Sequence, residues 1–325
     1  MNTAAQILAT LRSTEHGVSG SYLCRRLHIS RAAVWSHIES LRDMGFEIVA
    51  SPHRGYQLIK TPDKLFTDDM MSKIGKVNVI GRKITVLDQT TSTNDEIEKA
   101  AINGHDEGLV VFAESQTRGR GRMGRRWSSH AGKGLWFSVL LRPNLTPGEC
   151  TQLTAATATA LTRAIRDKTY ITPEIKWPND LMFGGKKIAG ILTEMSAELD
   201  NVRFVIVGIG INVNQTASEF PKEIQPTATS LKLATGENIS RTDLAIAILH
   251  ELDEDYSRIL RGKFSSIAEE WAGNCSTLGK QVEINVGQRR LTGRAEALDQ
   301  SGALLLRTEH GRVEQVTGGD VISVK

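Results

Sequence analysis

A chain of 325 residues that is 40% hydrophobic and 24% charged is long enough for two or three domains with real cores, and it contains no apolar run of membrane-spanning length. Its opening residues, Met1-Asn2-Thr3-Ala4-Ala5-Gln6, lack a signal-peptide pattern, and its three cysteines (Cys24, Cys150, Cys275) have no C-x-x-C spacing. A cytoplasmic protein without a disulfide framework or zinc ribbon is therefore expected. The net charge of +3 lies in residues 1–64, where eight Lys/Arg meet five Asp/Glu and four of the eight histidines sit; the remainder is neutral, so the N-terminal fifth carries a mild nucleic-acid footprint.

Taken in order, Ala4, Ile7, Leu8 and Leu11 recur at i, i+3, i+4, i+7 and place one apolar stripe on a first helix that ends before His16-Gly17. Ser19 is a plausible N-cap for a helix over 20–27 with Tyr22, Leu23 and Leu27 inward. Ser30 then caps a third helix whose core face is Ala33, Val34, Ile38 and Leu41 and whose C′ residue is Gly45. Residues 46–50 and 56–59 read as a hairpin. Three short helices and a hairpin make a winged helix-turn-helix, in which the helix after the turn offers Ser30, Arg31, Ala32, Trp35 and Ser36 to the major groove and Arg54 at the hairpin tip touches a phosphate or the minor groove. A helical domain that binds protein, or only packs, is the other reading.

Residues 60–64, Lys-Thr-Pro-Asp-Lys, mark a boundary, which gives domains of 1–64, 65–275 and 276–325. The middle domain alternates strands (84–87, 109–113, 134–141, 187–193, 204–211) with helices (one opening at 92–94, then 151–165, 241–260 and 264–272), a mixed α/β pattern whose Val205-Ile206-Val207 run belongs at the centre of a helix-covered sheet. From 277 onward, short strands at 282–284, 291–295, 303–307 and 321–324 separated by glycine-containing turns suggest a small SH3-like β-barrel.

Residues 118–126, Arg-Gly-Arg-Gly-Arg-Met-Gly-Arg-Arg, pack five guanidinium groups and three glycines into one loop, and no acidic residue occurs from Ser115 to Gly148. Such a segment faces an anion or sits unpaired in water; a disordered or RNA-gripping tail is the plain alternative. Residues 119–124 formally match G-x-G-x-x-G, but no helical periodicity follows and no acid appears before Glu149 to take a ribose hydroxyl, so a dinucleotide site is rejected. A Walker A loop is also absent.

Ser92-Thr93-Asn94, Gln116 with Gly119-Arg120-Gly121-Arg122, Lys176-Trp177-Pro178-Asn179-Asp180, Lys186-Lys187-Ile188-Ala189-Gly190-Ile191-Leu192 and Gly208-Ile209-Gly210-Ile211-Asn212 resemble, in this order, five motifs of the biotin protein ligases. With the winged helix in front, the whole chain resembles the bifunctional ligases that also repress a biotin operon. The resemblance implies that biotin is activated with ATP to biotinyl-5′-AMP and transferred to a lysine of biotin carboxyl carrier domains. It further implies that the adenylate acts as corepressor, promoting a homodimer that grips operator DNA.

On this resemblance Ser92, Thr93, Asn94 and Gln116 bind biotin's ureido ring, and Arg120, Gly121 and Arg122 hold its carboxylate and the α-phosphate. Lys187 and Arg122 act on the developing charge, beside the small Gly190, and Gly208 and Gly210 let biotin approach. Trp127, Lys176, Asn179 and Asn212 serve the nucleotide, and Asn179 with Asp180 reaches Mg²⁺. Without the resemblance Lys187 reads as a solvated hairpin lysine, Trp127 as core and the two glycines as a bulge. Two other functions stay open from sequence: a biotin-sensing repressor without catalysis, and a lipoate or octanoate ligase.

Overall fold

The computed structural model describes residues 1–14, 16–199 and 201–324. The chain separates into two compact units, Met1–Lys76 and Val77–Lys325.

The first unit holds α1 (Thr3–Arg12), α2 (Gly20–Leu27), α3 (Arg31–Asp43), the hairpin β1 (Glu47–Ser51) and β2 (Gly55–Lys60), and α4 (Thr67–Lys73). Asn2, Ser19 and Ser30 cap the first three helices by accepting the N–H of Ala5, Tyr22 and Ala33, each cap contributing about 1 kcal/mol. Ile7, Leu8, Leu23, Val34, Ile38 and Leu41 form the core with Phe46 and Ile48 of the hairpin. Tyr22 departs from expectation: α2 buries Leu23 and leans Leu27 inward, so Tyr22, one residue off that stripe, is exposed and accepts a hydrogen bond from Arg26. The helix over Thr67–Lys73, unmarked by any periodic pattern, packs on α1 through an ion pair between Arg12 and the buried Asp69.

Val18 joins the hairpin by exchanging two backbone hydrogen bonds of 2.8 Å with Tyr56, which makes the chain before α2 a third rung of the wing. Gly55 sits at this crossing with φ +72°, and a side chain there would overlap the Val18 backbone.

The second unit is built on a seven-stranded sheet of order β3-β4-β5-β9-β8-β7-β6, in which only β3 and β4 run parallel. Along the chain come β3 (Lys83–Thr90), α5 (Thr93–Ile102), β4 (Leu109–Gln116), β5 (Gly134–Leu141), α6 (Thr151–Thr169), β6 (Glu174–Lys176), β7 (Asp180–Phe183), β8 (Lys186–Glu198) and β9 (Asn201–Asn212). The short α7 (Leu231–Thr235) and the helices α8 (Arg241–Leu260) and α9 (Phe264–Asn274) follow. Strand alternation divides the core. Leu140 and Ile206 meet Ile97 and Ala101 of α5 on one face, while Val139 and Val207 meet Leu153 of α6 and Leu252 of α8 on the other. The strands β6 and β7 are too short to leave a period in the sequence, and β8 and β9 extend the expected 187–193 and 204–211 into one long hairpin.

The C-terminal β-rich segment of this unit is a five-stranded antiparallel sheet of order β13-β12-β11-β10-β14, formed by β10 (Gln281–Val286), β11 (Arg289–Leu298), β12 (Leu304–Thr308), β13 (Val313–Val316) and β14 (Asp320–Val324). The strand over Val313–Val316 leaves no apolar alternation in the sequence, because only Val316 of its four residues is buried. No helix of the described residues is long and apolar enough to cross a membrane.

Gly55→Ala is expected to destabilise the first unit by about 2 kcal/mol or more, through strain at φ +72° and overlap with Val18. Hydrogen exchange in the full chain should speed up in peptides of 1–76 and stay unchanged beyond; wild-type protection throughout would contradict the assignment.

Candidate active site

Every residue that the sequence places on biotin or nucleotide lines a single cavity of about 260 Å³ in the second unit. Its floor is a chain of polar side chains at the start of α5. Gln116 Oε1 accepts from the Thr93 backbone N–H (2.8 Å) and hydroxyl (3.3 Å), and its Nε2 donates to Ser129 Oγ (2.9 Å). Thr93 Oγ1 lies 2.7 Å from Ser138 Oγ, which donates to Asn94 Oδ1 (2.5 Å), and Asn94 Nδ2 donates to Glu194 (2.6 Å). Most of these groups are out of water, and each is held by at least one partner along the chain. Ser92 begins the helix yet makes no capping hydrogen bond with its side chain.

The arginine segment forms the wall. It is not an unstructured tail: Arg120 and Arg126 bridge as an antiparallel pair, the Gly121 N–H donates to Arg125 O (2.7 Å), and the Trp127 N–H donates to Gly119 O (2.9 Å) around a tight turn at 122–124. The missing local acids come from distant elements. Arg120 pairs with Asp95 of α5 and with Glu194 of β8 (3.3 Å), while Arg125 pairs with Asp320 of β14. Arg122 donates to Asn179 Oδ1 (3.0 Å) and Gly319 O (3.3 Å).

Burial opposes the charge on Arg120, but its hydrogen bond to Asp95 and the charge of Glu194 raise its pKa overall. Burial dominates at Arg122 and lowers its pKa, against the pull of Asp320 and Asp180. Both start so high that they remain cations at neutral pH.

The glycines of β8 and β9 line the cavity and leave room for two of its side chains. A Cβ on Gly208 would strike the Asn94 carboxamide. One on Gly190 or Gly210 would stand 2.9 Å or 2.5 Å from the Trp127 ring. They therefore seat Asn94 and Trp127. Trp127 in turn packs edge-on to Trp136 (6.2 Å between centroids) and lies 5.2 Å from Lys187 Nζ, with its own indole N–H buried and unpaired.

At the other end of the cavity Lys187 Nζ is 2.6 Å from Asp180 Oδ1. Asn179 also donates to Ile191 O (2.8 Å), and Asn212 is buried between Thr229 O (3.0 Å) and Gln215 (3.2 Å), which makes it a strut for the loop after β9 as well as a lining residue. Lys176 and Gly121 complete the predicted set on the cavity wall. Asp180 Oδ1 is buried and accepts no hydrogen bond. The oxygens of Asn179 and Asp180 face Arg122 and Lys187, and among the described residues no three His, Cys, Asp or Glu gather as ligands. The residues that sequence reasoning missed are the carboxylates Asp95, Glu194 and Asp320, which join the motifs only through the fold.

The first unit carries a separate candidate surface. Along α3, Ser30, Arg31, Ala32, Trp35 and Ser36 are all exposed, Trp35 at 58%, and Arg54 is exposed at the hairpin tip. Arg31 donates to Ser21 Oγ of α2 (3.2 Å), which links the two helices of the helix-turn-helix at this face. A tryptophan and an arginine in water on the helix that follows the turn are costly for packing and useful for contact.

A polar-floored cavity walled by cations, in a chain that also carries a winged helix, defines a ligase-type domain with a DNA-binding module. Residues 86–212 match the biotin/lipoate A/B protein ligase family, 3–57 an HTH domain, and 277–323 the biotin protein ligase C terminal domain. The bifunctional ligase/repressor BirA of Bacillus subtilis is 39% identical over 94% of this chain and 93% of its own length, and that of Escherichia coli 28% identical over 98% and 97%. The biotin protein ligase of Aquifex aeolicus, solved in complex with biotin and ATP, is similar with a TM-score of 0.64 and 32% identity, over 75% of this chain and 99% of that one. The chain belongs to the bifunctional biotin protein ligase and repressor family.

Gly210→Ala is expected to push the Trp127 ring off its seat, because the new methyl would stand 2.5 Å from it. Tryptophan emission should shift to the red, and Trp127→Phe should abolish the difference; emission unchanged in Gly210→Ala would contradict the packing described.

Proposed function

We propose that this protein joins biotin to ATP as biotinyl-5′-AMP, transfers the biotinyl group to a lysine of biotin carboxyl carrier domains, and, with the adenylate bound, represses biotin-synthesis genes as a homodimer in the cytoplasm. The observation that carries the reading is the division of one cavity into a neutral hydrogen-bonding floor and a cationic wall. A ureido ring needs the first, with donors and an acceptor in fixed places; two anions that must approach each other need the second. Functions divide on this reading among residues 1–64, 65–275 and 276–325.

Ser92, Thr93, Asn94 and Gln116 hold the ureido group. Arg120, the Gly121 backbone and Arg122 draw the biotin carboxylate and the α-phosphate together, offsetting a repulsion of about 1 kcal/mol for unit charges 4 Å apart even at water's dielectric. The carboxylate oxygen attacks the α-phosphorus and the bond to pyrophosphate breaks. Lys187 exchanges Asp180 for the phosphate and then steadies the carbonyl oxygen as the neutral ε-amine of the carrier lysine attacks the carbonyl carbon, gives up a proton to solvent and expels AMP. Trp127, Lys176, Asn179 and Asn212 surround the nucleotide. Asn179 and the Asp180 carboxylate, which Lys187 leaves, would hold Mg²⁺ arriving with the phosphates of ATP, where it would offset their charge.

Lys187→Ala combined with Arg122→Ala should cut ATP-dependent biotin transfer to a carrier domain by about 10²-fold or more. Undiminished transfer would remove both from catalysis, and faster adenylation of lipoate than of biotin in competition would reassign the substrate.

At a stated moderate salt, protein with biotin and ATP should shift a biotin-operon promoter fragment more than protein alone, and Arg31→Ala should weaken the shift. An equal shift with and without biotin would separate DNA binding from the ligand.

A further inference from the structure

The arginine hairpin has a buried foundation that no motif includes. Glu114 and Arg241 are 7% and 1% exposed, the one on β4 two residues before Gln116, the other in the first turn of α8. Arg241 gives Nη1 to Glu114 Oε2 (3.0 Å) and Nη2 to Oε1 (3.2 Å), a forked pair, and Nη1 also reaches Gly134 O (3.2 Å). Glu114 Oε2 further accepts the Gly132 N–H (3.0 Å). Gly132 and Gly134 are where the chain returns to the sheet after the hairpin. One ion pair thus grips both feet of the segment that carries Gln116, Arg120, Arg122 and Trp127. The returning foot is braced again by the Asn214 N–H on Lys133 O (2.6 Å) and by Lys133 with Glu219 (2.8 Å).

We infer that Glu114 and Arg241 are positioning residues that hold the arginine hairpin over the cavity and so set how long the reaction intermediate is retained. Two desolvated charges are a poor choice for stability alone, since apolar side chains of similar volume serve as well or better in a core. They are a good choice for direction: a carboxylate and a guanidinium supply fixed bonds to the two ends of one loop, which no pair of apolar groups does. Between those ends the hairpin is tied to the rest of the unit partly through half-exposed or exposed side chains such as Arg120 and Arg125, which hold weakly. The feet supply the buried ionic part of its placement, beside the backbone bonds of Thr117 and Arg118 to Thr90 and Thr91 and the seat of Trp127.

The inference rests on the proposed adenylation, and the test keeps the two apart. Glu114→Gln and the double variant Glu114→Met/Arg241→Met are compared with wild type by melting temperature, by trypsin cleavage at 118–126 in the protein without added ligand, and by the dissociation rate of biotinyl-5′-AMP. Both variants should be nicked in the hairpin about tenfold faster and should release the adenylate about ten- to a hundredfold faster. The double variant should recover most of the melting temperature that Glu114→Gln loses, without recovering either rate. Wild-type nicking and release in the double variant, or rates that follow melting temperature across the set, would overturn the positioning role. Should wild type form no adenylate, the functional reading fails, while the trypsin comparison still decides whether the pair holds the hairpin.

Discussion

Five guanidinium groups within nine residues repel one another, and the fold of the second unit brings counter-charge to two of them, Arg120 and Arg125. Asp95 from α5, Glu194 from β8 and Asp320 from β14 are brought to the hairpin from three separate parts of the chain. Two of the carboxylates meet Arg120 and one meets Arg125, while Arg122, bonded to the neutral oxygens of Asn179 and Gly319, keeps the cavity wall positive. Glu194 also accepts from Asn94. Glu194 thus joins the end of the floor to the wall.

Such an arrangement suits a reaction that joins two anions. Its cost lies in desolvated polar groups, which stay folded only because nearly all of them along the floor are paired. It also explains why glycines recur on β8 and β9. Asn94 and Trp127 have to lie flat against the strands for the floor and the wall to meet, and any side chain at 208 or 210 would lift them. The conformational freedom of glycine matters less at these positions than its lack of volume.

Much of this was legible in the sequence. Caps at Ser19 and Ser30, the stripe of Ile7, Leu8 and Leu11, and the run Val205-Ile206-Val207 follow from local chemistry and periodicity, and the structure keeps them. The candidate site residues were legible in five motifs, and the fold brings them to one cavity. What was not legible depends on distance along the chain. Nothing near Arg120 announces Glu194, 74 residues on, and nothing near Glu114 announces Arg241. Short or one-sided elements were also hidden: β6, β7 and β13 are three or four residues each, and Tyr22 sits one position off the buried stripe of an eight-residue helix. The closeness of Asp180 to Lys187, on neighbouring strands, was also not legible, because it depends on how β7 and β8 pair.

The central claim is that the floor and the cationic wall together activate a carboxylate on a nucleotide. Biotin-dependent exchange of labelled pyrophosphate into ATP, with purified protein and no carrier domain, tests it most directly, because it reports formation of the adenylate alone. Exchange that requires biotin and disappears when Arg122 and Lys187 are both replaced by alanine is the predicted result. Exchange independent of biotin, or none at all from the intact protein, would contradict it.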